Sequence, residues 1–133
     1  DFNVVFGTRT TSSMILSGAN MGWFLKTGNW FIAKLIEVFF GTTHLSDVGC
    51  TMKLIKRPIY EKIKHKFKAG GSCFGLELML IIVTSKINFV EIPLHYNKRV
   101  GKSSVTGSFI KAFVLGLQMI GQIVIFRIKT LFK

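Results

Sequence analysis

Residues 108–133 place the tightest constraint on what this chain can become. They read as one long helix with a single polar stripe: Lys111, Gln118, Gln122, Lys129 and Lys133, at offsets of 7, 11, 18 and 22 from the first, share one side when successive residues turn by about 100°. Apart from Ser108, Arg127 and Thr130, everything else in the stretch is apolar or glycine. Such a helix must cover its apolar surface with the rest of the chain, a partner or lipid. Residues 112–126, interrupted by glutamines, fall short of the roughly 20 apolar residues that a membrane span requires. The expectation is therefore an interfacial or juxtamembrane helix with basic ends. The plainer reading is a packing helix within a larger domain.

Composition narrows the partners. The chain has 133 residues, 49% hydrophobic and only 18% charged, which speaks for a folded domain. Eighteen Lys and Arg against six acids leave a formal net charge of +12, a surplus that favours polyanions. Apolar richness points to anionic lipid and phosphorylated substrates rather than nucleic acid, and the basic segments lack the aromatic interleaving of a single-strand binding groove. Cys50 and Cys73 form neither a disulfide framework nor a zinc pattern. Both read as reduced and buried, consistent with a cytoplasmic setting.

Along the chain, residues 2–6 read as an inner strand closed by Gly7-Thr8-Arg9. Asn20 is placed to cap a helix over 21–40 that Gly41 stops. Trp23, Lys26, Thr27, Trp30, Lys34 and Glu37 share one face of it, either a bilayer-facing stripe or the solvated edge of a core helix. A strand over 51–56 follows, then a helix from Pro58 that Gly70-Gly71 ends, and a helix capped by Ser72 that runs to about 86. Residues 87–96 alternate as a strand, with Pro93 implying an edge or an end. A buried-type strand at the very start needs neighbours to pair with. The chain accordingly reads as the second half of a larger α/β domain over 1–107, followed by the amphipathic helix 108–133.

Candidate chemistry gathers on two loops. Asp47, set among Leu45, Val48 and Cys50 with Gly49 permitting a turn, is costly to desolvate unless it serves a metal, a base role or a hydrogen-bond cage; an Asx-turn is the ordinary alternative. Arg99, Gly101, Lys102, Ser103 and Ser104 form a candidate anion cradle, without P-loop spacing. Glu77, in an apolar helix, needs a partner: a substrate cavity, or Arg99 or Lys102. Glu91 reads as a structural partner on its strand, and neither His44 nor His95 is given a ligand role. No D-x-D pair, G-x-S-x-G elbow or Cys-His dyad is present.

Five collinear runs carry a resemblance: V-V-F-G-T-R, G-A-N-M-G, L-S-D-V-G-C-T-M-K-L-I, G-L-E-L-M-L-I and E-I-P-L-H-Y-N-K-R-V-G-K-S-S. Together they resemble glycosyltransferase family 2, in its dolichol-phosphate mannosyltransferase and polyprenyl-phosphate glycosyltransferase branch. The resemblance implies the acceptor-side half of a GT-A fold, a Rossmann-like α/β sandwich. It implies inverting transfer from a nucleotide-sugar donor to a polyprenyl-phosphate or glycan acceptor at the cytoplasmic face of a membrane. A divalent cation, Mg2+ or Mn2+, would be held mainly by a D-x-D in the half that is missing here, with Asp47 near it at most indirectly. Asp47 matches the family's acceptor-side acid, although Val48 stands where a proline is usual and Cys50-Thr51 replaces a Gly-Phe pair. Arg9 matches a substrate-facing arginine and Glu77 a supporting acid. Arg99, Lys102 and Ser103 match a loop that closes over phosphates, with Lys102 before the serine rather than after it. The resemblance has Asp47 and the Arg99–Lys102 bend converging on one diphosphate-gripping pocket. A reading of another class is a non-catalytic basic amphipathic module that binds anionic membrane or a partner chain.

Overall fold

Val4–Thr8 form β1, the middle strand of a three-stranded sheet ordered β2-β1-β3. The computed structural model describes residues 2–10, 22–95, 97, 100, 101 and 108–132. Strand β2, Lys53–Ile55, runs antiparallel to β1 with Val4 opposite Ile55 and Phe6 opposite Lys53. Strand β3, Phe89–Pro93, runs parallel, from Val4 opposite Phe89 to Thr8 opposite Pro93. A parallel pair needs a long crossover; here it contains α1 (Trp23–Phe40), β2, α2 (Arg57–Ile63) and α3 (Phe74–Thr84), while α4 (Phe109–Leu131) follows β3. The architecture is mixed α/β, with a small sheet and a long C-terminal helix.

Alternation along β1 sends Val4 and Phe6 into the core, each 1% exposed. The Phe6 ring lies 5.1 Å from that of Phe89, its neighbour across the parallel pair. Helix α3 is apolar nearly all round and is buried without a break from Leu76 to Val83, as such helices must be. Ile32, Ala33 and Ile36 of α1 and Met119 and Ile123 of α4 complete the core. Each large side chain taken out of water here contributes roughly 1.5–3 kcal/mol. Helices α1 and α4 run side by side in the same direction: the rings of Phe24 and Phe109 are 4.4 Å apart at one end, and Arg127 sits over the Phe40 ring at 5.9 Å at the other.

Several boundaries differ from the sequence expectations for identifiable reasons. Helix α2 stops at Ile63 and passes into a 3-10 turn, Lys64–Lys66, well before Gly70. Continuing the helix would commit the N–H groups of Lys68 and Ala69 to its own carbonyls, but Glu77 accepts both, at 3.0 and 2.8 Å. A second 3-10 turn, Gly71–Cys73, opens on Gly71 at φ +59°, so α3 starts at Phe74 and Ser72 does not cap it. Strands β2 and β3 are shorter than expected, at three and five residues. Pro93, which has no N–H, ends β3, whose sole strand partner among the described residues is β1. Helix α1 ends as expected at Gly41 (φ +58°), whose N–H donates to the Glu37 carbonyl at 2.8 Å. Asn20, the expected cap, lies outside the described residues; α1 opens at Trp23 with Gly22 in the cap position. Helix α4 is longer than the 112–126 stretch: its 23 residues are long and apolar enough, by length and composition, to cross a membrane.

Candidate functional site

Because β1 and β3 are parallel, their C-terminal ends open on the same edge of the sheet, the place where ligands bind in open α/β sheets. A cleft of about 700 Å³ lies there. Its lining comes from the end of β1 (Thr8, Thr10), the loop after α1 (His44, Ser46), Glu91 of β3, and Trp23, Lys26, Thr27 and Trp30 of α1. Spacings of three, four and seven residues put those α1 side chains on one face. The sequence left that stripe either bilayer-facing or the solvated edge of a core helix; in the fold Trp23, Lys26, Thr27 and Trp30 form a cleft wall. The two tryptophans remain open, 80% exposed at Trp23 and 48% at Trp30.

The cleft floor is a hydroxyl cluster tied to Glu91. One Glu91 oxygen accepts the backbone N–H groups of Ser46 (3.0 Å) and Asp47 (3.2 Å), and the other accepts the Ser46 hydroxyl at 2.7 Å. The Ser46 oxygen lies 2.7 Å from the Thr8 hydroxyl and 3.0 Å from that of Thr10, and the two threonine oxygens are 2.8 Å apart. Glu91 therefore does serve as a structural partner, to the 46–47 loop rather than to a strand, and it lines the cleft as well.

Asp47 is 1% exposed and lies behind this floor rather than in it. Both carboxylate oxygens are fully engaged. One accepts Arg9 Nε (2.8 Å) and the Arg9 backbone N–H (3.0 Å); the other accepts Arg9 Nη2 and the Gly49 N–H, each at 3.0 Å. The last bond is the Asx-turn that the sequence offered as the ordinary alternative, and the bidentate guanidinium adds a charged clamp. Gly49 leaves room for it: a Cβ there would come within 2.7 Å of the Asn29 amide and 3.0 Å of Arg9 Nη2. Asp47 and Arg9 are thus brought together as a buried pair that fixes the 44–49 loop.

Two further charged groups brace that loop. Glu37 accepts the Leu45 N–H and the Lys34 ammonium, each at 2.6 Å, with His44 Nδ1 at 3.7 Å. Burial alone would raise the Glu37 carboxyl; the Lys34 hydrogen bond, the Leu45 N–H and the charges of Lys34 and His44 outweigh it and hold it below the ordinary glutamate range. Lys53 of β2 donates to the Cys50 carbonyl and reaches over the Phe6 ring. Burial pushes its ammonium below the usual lysine range, the nearby Arg9 charge adds to this, and Cys50 and Asp47 partly oppose it.

Of the residues expected to act, Arg9 and Asp47 meet, and Glu77 stands apart, holding the 68–69 backbone. Arg99, Lys102 and Ser103 lie outside the described residues. No group of three or more His, Cys, Asp or Glu that could hold a metal occurs among the described residues, and Asp47 has no free oxygen for one, so no chemical step is routed through a metal here. Thr8, Thr10, Ser46 and His44 escaped the sequence reading as site residues. The one signal that could have found them was the parallel register, which sets Phe6 beside Glu91 and so brings the strand ends to one edge. No protein-family model matches the chain, and comparison with curated proteins and with solved structures finds no match.

Proposed function

We propose that this chain is the acceptor-side part of a membrane-associated family 2 glycosyltransferase with a partial GT-A fold, passing sugar from a nucleotide-sugar donor to a polyprenyl-phosphate or similar acceptor with inversion. The single observation that carries this reading is the cleft at the C-terminal edge of the parallel pair, with hydroxyls, a carboxylate and two tryptophans facing one space. The geometry favours a phosphate acceptor over a glycan hydroxyl. In the transfer, an acceptor oxygen forms the new bond to the anomeric carbon as the bond to the nucleoside diphosphate breaks. A phosphate oxygen is already anionic and gives up no proton, whereas a hydroxyl needs a base. Asp47, its oxygens occupied by Arg9 and Gly49, serves in this reading as a positioning residue for the loop that carries His44 and Ser46. Arg99, Lys102 and Ser103 would face the phosphates by resemblance of sequence, and Glu77 supports the fold through residues 68–69. The divalent cation belongs, in this proposal, to the donor half. Exposed apolar side chains along α4 supply the docking to the cytoplasmic face of an anionic membrane. They also favour the second reading, a membrane-binding module without catalysis.

The test is to express the reading frame that encodes this chain and incubate its membranes with labelled nucleotide sugars and polyprenyl phosphate. The expected outcome is an organic-extractable glycolipid, greatly reduced by Glu91→Gln. Membranes that bind anionic vesicles yet transfer no sugar above control membranes, with any donor offered, would leave the module reading in its place.

A further inference from the structure

We propose that the outer face of the three-stranded sheet is a docking surface for a single amphipathic helix with acidic flanks, contributed by another polypeptide. Such a partner is independent of the sugar transfer proposed above.

Strand alternation divides the sheet into two unlike faces. Val4, Phe6 and Phe89 point to one side, where they share a core with α1, α3 and α4. On the other side the strand register sets two rows across the sheet: Leu54, Val5 and Val90, then Met52, Gly7 and Ile92. Every side chain in those rows is apolar, yet Leu54 is 70% exposed, Met52 63% and Ile92 45%. Leu94 lies beside Gly7 and shields one end of the patch. Parallel strands are ordinarily covered by helices on both faces, and their sequences read apolar on both sides as a result. Strand β1 reads that way, with Val4 and Phe6 on the inner side and Val5 and Gly7 on the outer. The described helices gather on the inner side, so the outer layer is wanting among the described residues.

Width selects the occupant. Three strands spaced by about 4.8 Å leave a face roughly 10 Å across, the diameter of one helix. Charge selects its flanks. The next row on the same face is polar, with Lys56 and Asn88 bonded through their backbones to Asn3 between them. Arg57 and Lys86, both exposed, adjoin that row in the chain. No described acid stands on this face: Glu37, Asp47, Glu77 and Glu91 accept backbone N–H groups inside the chain, and Glu61 pairs with Lys64. A partner thus meets apolar rows with cations beside them, which an apolar helical stripe flanked by Glu or Asp complements. A second copy brings the same cations and no acid. Lipid would desolvate the outer edge of β3, which has no strand partner among the described residues, and open sheet edges do not persist in hydrocarbon. A docked helix leaves that edge in water.

The experiment uses the 133-residue chain carrying Phe113→Asp and Leu117→Asp, which remove exposed apolar side chains from α4, so that no detergent is needed. The probe is a labelled synthetic helix of about 18 residues, long enough to be helical in water, with leucines on one face and glutamates flanking them. A second probe has lysines in place of the glutamates. Fluorescence anisotropy is expected to show saturable binding of the acidic helix and affinity at least about tenfold lower for the basic one. Leu54→Asp should weaken the acidic helix by about tenfold or more; Leu54 is a surface residue, so the unfolding midpoint should hold. Lys56→Glu, which leaves the apolar rows intact, should narrow or invert the preference between the probes. Equal affinity for the two probes, or acidic-helix binding that Leu54→Asp leaves untouched, overturns the proposal. A chain that sediments as a dimer and becomes monomeric in Leu54→Asp overturns it in favour of a second copy. Flotation with anionic vesicles that Leu54→Asp abolishes overturns it in favour of lipid.

Discussion

Asp47, which the sequence offered as either a functional acid or an Asx-turn, is held in space by Arg9 and the Gly49 N–H. A carboxylate between apolar neighbours was bound to find a partner; the partner is Arg9, delivered by the loop after β1, and four donors leave it no open lone pair. Removing one partner of such a buried pair strands the other, typically at about 3–5 kcal/mol. Asp47→Asn is therefore expected to lower stability by about 3 kcal/mol, read as a lower midpoint in chemical unfolding. Any loss of transfer should be regained when the variant is assayed below its unfolding transition. Full stability with abolished turnover would return Asp47 to the chemistry. Glu37 supports a prediction of a different kind. Its folded-state pKa is depressed, so its contribution to stability is complete above the ordinary glutamate pKa and is lost as pH falls through the folded value. Hydrogen exchange at the Leu45 amide, which donates to Glu37, should quicken on acidification through that window. In Glu37→Gln it should be fast at neutral pH and nearly insensitive to acid. A wild-type Leu45 amide that stays protected at low pH would show that the loop is held by something else.

Among the elements, the approach of β1 to the segment after β3 is the most sharply defined contact. A Cβ at Gly7 would meet Leu94 Cδ1 at 2.3 Å and Cys50 Sγ at 3.1 Å. Leu94 Cδ1, the end of a half-buried side chain, can swing aside, but Leu94 Cγ and Cys50 Sγ, each at 3.1 Å, still crowd the new methyl, and overpacking of this kind costs roughly 1–3 kcal/mol. Gly7→Ala is thus expected to destabilise the chain by about that amount. Thermal unfolding reads the effect, and a variant as stable as the parent would refute the close approach. The same contact marks the limit of what the sequence made legible. Local signals sufficed for α1, where the apolar side and Gly41 are both written in the chain, for the fully apolar α3, and for Pro93 at a strand end. They failed where a distant group decides: helix does not run on to Gly70, because Glu77 takes the N–H groups of Lys68 and Ala69 beyond the end of α2. They failed again at the cleft, since Thr8, Ser46 and Glu91 meet only through a parallel pairing separated by the whole crossover. The tryptophan stripe was visible, but its partner surface was not, so neither a face toward lipid nor a solvated edge anticipated the wall of a cleft.

At the scale of the whole molecule, the proposed membrane docking of α4 is constrained by its packing against α1. Twenty-three helical residues reach about 34 Å, enough for a hydrocarbon core of roughly 30 Å. Yet α4 lies along α1 from Phe24–Phe109 to Phe40–Arg127, and Met119 and Ile123 are buried in the common core. A spanning α4 would either tear out those core side chains or carry Lys34 and Glu37 of α1 into hydrocarbon, where charged residues cost roughly 2.5–3.5 kcal/mol each by insertion scales. Lying in the interface avoids both penalties. In the proposed docking, Phe113, Leu117 and Ile125, each more than half exposed, would enter the acyl boundary while Lys111 and Lys129 would stay with the head-group phosphates. The chain should float with vesicles containing anionic lipid, less so at high salt, and Phe113→Asp with Leu117→Asp should release it without lowering its unfolding midpoint. Orientation is read in a background with Cys50 and Cys73 replaced by serine, by placing a cysteine at Lys111 or at Lys129 and adding a membrane-impermeant thiol reagent outside the vesicles. Labelling of both positions from the outside is the expected result. If one position reacts only after the vesicles are opened, α4 crosses the bilayer, and its packing against α1 must come apart for it to do so.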